Sequence, residues 1–309
     1  PEVIVVDLGL ERNDAIRLIQ QLRQLYPVPV IALAPPDAEH AERAVQALNS
    51  GVAEVLVRPP QGDFIGARRL GERLVDRIRA AIHTARPIPK NPDRAPRRAA
   101  SFSSVGLDPA RYVVAVGAST GGPQALRAML RCAPRDFPPI VIVQHMPVFF
   151  TKSFAANLDH HCAIDVREAV GGETLAPGTA LIARGDTHLV LARDGLNWTV
   201  RYTDSRLVNL HCPSVDVLFD SAVAAGSFGV GVLLTGMGAD GASGLLHMRR
   251  AGALTIAQDR QSSIVYGMPK AAAESGAAAL SAPPERIPGL IARRLADAAR
   301  STPQPVSVK

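Results

Sequence analysis

Cysteine is scarce: the 309 residues hold three, Cys132, Cys162 and Cys212, with no C-x-x-C spacing. An odd and scattered set cannot pair completely within the chain, which argues against a disulfide scaffold or a zinc knuckle. Aromatic residues make up 4% of the chain, so aliphatic side chains must supply most of the burial. No apolar run reaches the roughly 18 residues of a membrane span. The opening PEVIVVDLGLERND lacks the basic flank, full apolar core and small-residue cleavage site of a secretory signal, so the cytoplasm is the expected compartment. The histidines, the His160-His161 pair included, show no ligand arrangement such as H-E-x-x-H, so no metal is expected, and His188 reads as structural.

What is present is an ordinary globular composition, 47% hydrophobic and 20% charged, long enough for two domains. The net charge of +6 is local. Residues 61–100 carry ten Lys or Arg against four Asp or Glu, 10 − 4 = +6, and the remainder sums to zero. A basic helix and connector explain that excess better than a phosphate-binding face, so nucleic-acid binding is not expected.

The order of elements is legible from period and punctuation. PEVIVVDL, PVPVIALA and VAEVLVRPP read as strands alternating with helices in AIRLIQQLRQLY and AERAVQALNSG, which predicts a parallel sheet. This partial unit, residues 1–84, closes with the helix GARRLGERLVDRIRAAIHTA. A Pro-, Arg- and Ser-rich connector is expected over 85–110. Residues 111–301 read as a larger α/β domain with helices on both faces of a parallel sheet and an antiparallel insert near 170–205. Residues 302–309 read as a C-terminal tail.

Ligands of open parallel sheets bind at the carboxyl ends of the strands. Three polar residues follow such strands: Ser119 after VVAVGA, His145 after IVIVQ, and Asp240 after VGVLLTGMGA. Ser119 sits in GASTGG, a tight turn suited to an acyl-transfer nucleophile with amides facing a developing charge. The same turn could cradle phosphate, although G-x-x-x-x-G-K-[ST] is absent. His145 has the chemistry of a general base, or of a strand-end histidine with a structural bond. Asp240 could orient that base or cap the helix of GASGLLHMRR. A rival group, His211, Ser214 and Asp216 in HCPSVDVLF, is cramped. There Ser214 reads as a helix N-cap and Asp216 as a favourable charge at the positive helix end.

VVAVGASTGGPQAL, IVIVQHMP, HCPSVDVLF, LLTGMGADGASG and QSSIVYGMPKAA together resemble the protein-glutamate methylesterase domain of bacterial chemotaxis, the CheB family, over residues 112–285. The resemblance implies Ser119 as nucleophile, His145 as base and Asp240 as its partner, with Thr120 and Met237 beside the oxyanion. It implies a hydrolase that needs no metal or organic cofactor and removes methyl esters from glutamates of methyl-accepting chemoreceptors. Glutamine deamidation would run through the same acyl intermediate. A chemotaxis histidine kinase is a second implied partner. Arg184 in ARGDTHL stands where the family commonly has proline, and QDRQSSIVYGMP departs mildly from the family's pattern; neither touches the triad.

The first 84 residues resemble the second half of a flavodoxin-like response-regulator receiver. Asp7 in PEVIVVDLGL matches the phosphoacceptor. Pro1 stands at what would be the third strand, the acidic pair that holds Mg²⁺ has no counterpart here, Ala34 stands for Ser or Thr, and Arg58 for Lys. A fragment and a receiver degenerated into a docking or inhibitory module both fit, and the expectation is weakened phosphorylation control. A catalytically silent scaffold and a phosphate- or nucleotide-binding module stay open as other classes of function.

Overall fold

Aliphatic strands and amphipathic helices alternate through two parallel sheets in the computed structural model, which describes residues 1–9, 14–26, 28–84, 101–195 and 197–301. The smaller sheet has β1 (Ile4–Asp7), β2 (Val30–Ala34) and β3 (Glu54–Val57), in that spatial order, with helices α1 (Asp14–Leu25), α2 (Ala38–Asn49) and α3 (Phe64–Thr84). Asp37 starts α2 by accepting a hydrogen bond from the His40 amide, which satisfies one of the amides a helix start leaves free.

The larger unit begins β4 (Val113–Ala118), α4 (Gly122–Leu130), β5 (Ile140–Gln144), α5 (Val148–His161), β6 (Asp165–Glu168) and β7 (Thr179–Ile182). An antiparallel hairpin follows, β8 (Leu189–Asp194) and β9 (Asn197–Tyr202), where the insert was expected. The chain then runs through α6 (Val215–Ala222), β10 (Gly229–Leu233), α7 (Ala242–Arg250), β11 (Leu254–Gln258), α8 (Met268–Glu274), β12 (Leu280–Ala282) and α9 (Ile287–Ser301). The seven parallel strands lie in the order β12-β11-β10-β4-β5-β7-β6. The chain leaves β4 toward β5 and later returns to β4's other side as β10, so the order reverses there. A crevice opens at the carboxyl ends of such strands.

Both faces of this sheet are apolar because helices cover both. Val114, Val116, Ala118, Ile140 and Ile142 pack on the side of α4, α5 and α9. Val113, Ala115, Val141 and Val143 pack on the side of α6, α7 and the hairpin. The strands β6 and β12 carry little sequence signal: DVRE has a single apolar residue, Val166, at a sheet edge, and β12 is three residues long.

The end of the expected connector, from Ser101 on, packs against the larger unit. Phe102 is fully buried and meets Phe137 edge-on at a centroid distance of 5.3 Å, while Ser101 Oγ donates to Asp136 Oδ2 at 2.6 Å. One aromatic among Ser and Arg leaves no periodic trace, so its anchoring of residues 101–110 escapes a reading by composition. Residues 85–100 and 302–309 lie outside the described residues. The two units are packed together: Val45 of α2 joins the larger core, and Phe150 of α5 joins the smaller one.

Candidate active site

Three central strands end side by side. Ala118 pairs with Gln144 in the β4–β5 register, and the His145 amide donates to Ala118 O at 3.0 Å, so Ser119 and His145 follow on adjacent strands about 4.8 Å apart. Side chains alternate across a sheet. Ala118 faces α4, so Ser119 and His145 continue the parity of Gly117 and Val143 toward α6. The Ser119 amide donates to Thr235 O beyond β10 at 3.0 Å. Gly236 lets that loop close on the serine, because a Cβ there would sit 2.7 Å from Ser119 Cβ. Gly121 supplies the left-handed turn, φ 77°, that starts α4.

His145 Nε2 and Asp240 Oδ2 are 2.9 Å apart, with both side chains buried. With Nε2–H donating to the carboxylate, the ring lone pair is on Nδ1. That nitrogen is buried and has no hydrogen-bond partner among the described residues, so the structure joins imidazole and carboxylate while the Ser119 Oγ to Nδ1 bond is not made.

Asp240 does more than hold His145. Its carboxylate also accepts from Ser214 Oγ (2.8 Å), Asn209 Nδ2 (2.9 Å), the Val215 amide (2.7 Å) and the Asp216 amide (3.2 Å). Burial alone would raise its pKa, but the hydrogen bond and electrostatic attraction of His145, then Asn209 and the Val215 amide, hold it well below the usual range. Asp240 therefore caps α6, not α7, whose N-cap is Gly241. The reading of Ser214 as a side-chain cap is corrected: it occupies the N-cap position but makes no cap bond, since a carboxylate outcompetes a hydroxyl for helix amides and leaves the hydroxyl to donate. Asp216 accepts from the Gly244 amide in the first turn of α7, 2.7 Å, and from Asn209 Nδ2, 2.7 Å. Burial raises its pKa.

The rival group is thus scaffolding around the first one. His211 stacks on His145, centroids 3.8 Å apart and planes 11° off parallel. Burial, then the neighbouring His145, lowers its pKa to about 4, so it stays neutral beside that imidazole. Asn209 escaped the sequence reading because its role depends on a left-handed turn, φ 53° and 65° at Asn209 and Leu210, that closes the Val208–His211 hairpin. His188 accepts from the Ser214 amide at 3.0 Å and bonds Arg206 O at 2.7 Å, a structural placement.

The family model of the CheB methylesterase matches residues 114–291, which contain every residue of this network. This chain belongs to the CheB methylesterase family. It is 42% identical over 299 residues to the protein-glutamate methylesterase/protein-glutamine glutaminase of Chromohalobacter salexigens, covering 95% of this chain and 83% of that one. The similarly named protein of Photorhabdus laumondii is 42% identical over 278 residues, 90% and 79% of the two chains. The CheB methylesterase catalytic domain of Thermotoga maritima, a crystal structure, is similar with 39% identity and a TM-score of 0.58, covering 59% of this chain and 98% of that one.

In this CheB-family chain the smaller unit sits on the serine turn. Thr120 Oγ1 donates to Glu54 Oε2 at 2.6 Å and accepts from Arg77 Nη1 at 3.1 Å, and Arg77 Nε pairs with Glu54 Oε1 at 3.2 Å. The Gly121 amide donates to Ala53 O at 3.1 Å, and Gln124 Nε2 donates to Leu48 O and Val52 O. Met237 is half-buried in the loop one residue past Gly236. Asp7 lies away from these contacts, with Oδ1 accepting from the Gly9 amide at 2.8 Å and Oδ2 from Arg58 Nη1 at 2.9 Å. Arg58 takes up the carboxylate that a magnesium ion would need, and no cluster of three or more His, Cys, Asp or Glu suited to a metal occurs among the described residues.

Proposed function

We propose that this chain hydrolyses glutamate methyl esters of chemoreceptors with Ser119 as nucleophile. Substrate seating turns the Ser119 hydroxyl toward His145 Nδ1, a closure that unliganded sites often lack. Oγ attacks the ester carbonyl as Nδ1 takes its proton. Asp240, accepting from Nε2–H, stabilises the imidazolium. The backbone amides of Thr120 and Met237 are the proposed donors to the tetrahedral oxyanion, placed where charge develops. Methoxide takes the proton from His145 and leaves as methanol. Water, deprotonated by the same nitrogen, then splits the acyl-enzyme and frees the glutamate. Glutamine would follow the same path with ammonia leaving, in keeping with the double name of the relatives.

The observation that carries this reading is the buried, unpartnered Nδ1 of a histidine tied to Asp240, one strand from Ser119. A phosphate cradle needs neither. Methanol release from methylated receptor should fall by more than about 10⁴-fold in Ser119→Ala with the fold retained. Release that survives this substitution refutes the serine mechanism.

A further inference from the structure

Beneath the serine turn lies a buried side chain that the reaction does not use. Gln144 is 2% exposed and faces α4, away from substrate. Its Nε2 donates to Ser119 O at 2.9 Å and to His145 O at 3.1 Å. One amide group therefore ties the backbone of the nucleophile to that of the base. Its Oε1 is buried with no partner among the described residues, so the side chain is held for its donors. Gly122 makes room for it: a Cβ there would lie 1.9 Å from Gln144 Oε1.

The consequence follows from peptide planarity. Ser119 O is drawn inward by Gln144 Nε2 and by the Gly122 amide at 2.7 Å. The peptide is planar and trans, so the Thr120 N–H on the same plane must point the opposite way, outward beside the serine side chain. We infer that Gln144 is a positioning residue that aims the Thr120 amide at the oxyanion and fixes the His145 backbone relative to Ser119. The inference rests on the serine-esterase reading and deepens it, assigning the aim of the oxyanion donor to a side chain that never meets substrate.

The test uses the full chain with Gln144→Met, which keeps length and removes the donors, and Gln144→Asn, which keeps the amide but shortens its reach. Steady-state methanol release is measured beside the rate at which a fluorophosphonate probe phosphonylates Ser119, a step that builds a tetrahedral centre with its oxygen in the same place. Both variants should lose about 10- to 100-fold in kcat with KM within about twofold, and the phosphonylation rate should fall in parallel. Gly122→Ala, which pushes the Gln144 amide aside, should give the same pattern. A purely structural Gln144 would lower the melting temperature and leave kcat and phosphonylation unchanged; that result in either variant that folds overturns the inference. Ser119→Ala, run alongside, separates the failures. If it still releases methanol, the serine reading is wrong; if it is inactive while the Gln144 variants keep wild-type kcat, the positioning role alone falls.

Discussion

Asp240 and Asp7 are both aspartates at or beyond the carboxyl end of a parallel strand, yet they have opposite surroundings. Asp240 is buried under five donors from His145, Asn209, Ser214 and the first amides of α6. Asp7 has a 27% exposed side chain, tied to one arginine and one glycine amide. A strand end supplies a location; the donors that converge on it decide whether a carboxylate holds an imidazole or merely pairs with a cation. The same contrast separates the two units, since the larger one converges polar groups at a reversal of strand order and the smaller one docks against the result.

Neutralising each carboxylate in turn should separate the two aspartates most strongly. Asp240→Asn should cost about 10⁴-fold in kcat by upsetting the tautomer of His145, whereas Asp7→Asn should leave methanol release within about twofold of wild type. Equal effects would dissolve the distinction. Removing a single donor is milder: Ser214→Ala should lower unfolding stability in urea by about 1.5–3 kcal/mol, the worth of a hydrogen bond to a charged group. An unchanged denaturation midpoint would show that Asp240 does not depend on its cage.

Smaller still is the influence of the docked unit. Glu54→Ala removes the acceptor of Thr120 and the partner of Arg77. Weakening that contact should raise methanol release about two- to fivefold, the population shift expected from losing a half-buried pair. A fall in activity would mean that Glu54 supports the site and does not cover it. A phosphoryl donor with Mg²⁺ should change activity least of all, because Arg58 already pairs with Asp7; a large stimulation would contradict the pairing.

Acid should act on the larger unit through His211, which faces His145, Asp240, Arg73 and Arg77. Its folded pKa of about 4 lies below the unfolded value of about 6.5, so the unfolded chain takes up the proton first. Stability from this group is complete above about pH 6.5 and declines down to about pH 4. Asp240, whose pKa is depressed, contributes stability that is lost only as pH falls below the ordinary aspartate range. His211→Asn should flatten the first limb of urea-measured stability against pH and leave the second.

Much of this arrangement was legible in sequence, for reasons particular residues make plain. VVAVGA, IVIV and GVGVL are runs without a polar side chain, as strands covered on both faces require, and polar residues after them mark the crevice. The cage around Asp240 was not legible, because Asn209 reaches it through a left-handed hairpin and Ser214 through a hydroxyl displaced from its own helix. Gln144 was hidden for a simpler reason: as the last residue of an aliphatic strand it has no spacing of its own, and its partners are carbonyls.

The proposed attack by Ser119 requires His145 to carry its proton on Nε2 toward Asp240 and to offer Nδ1 to Ser119. Nitrogen-15 NMR of histidine-labelled protein reads this directly. Neutral His145 should be protonated at Nε2 and bare at Nδ1, with the Nδ1 resonance moving when Ser119 is phosphonylated. A His145 protonated at Nδ1, with Nε2 bare and no response to the serine adduct, would contradict it.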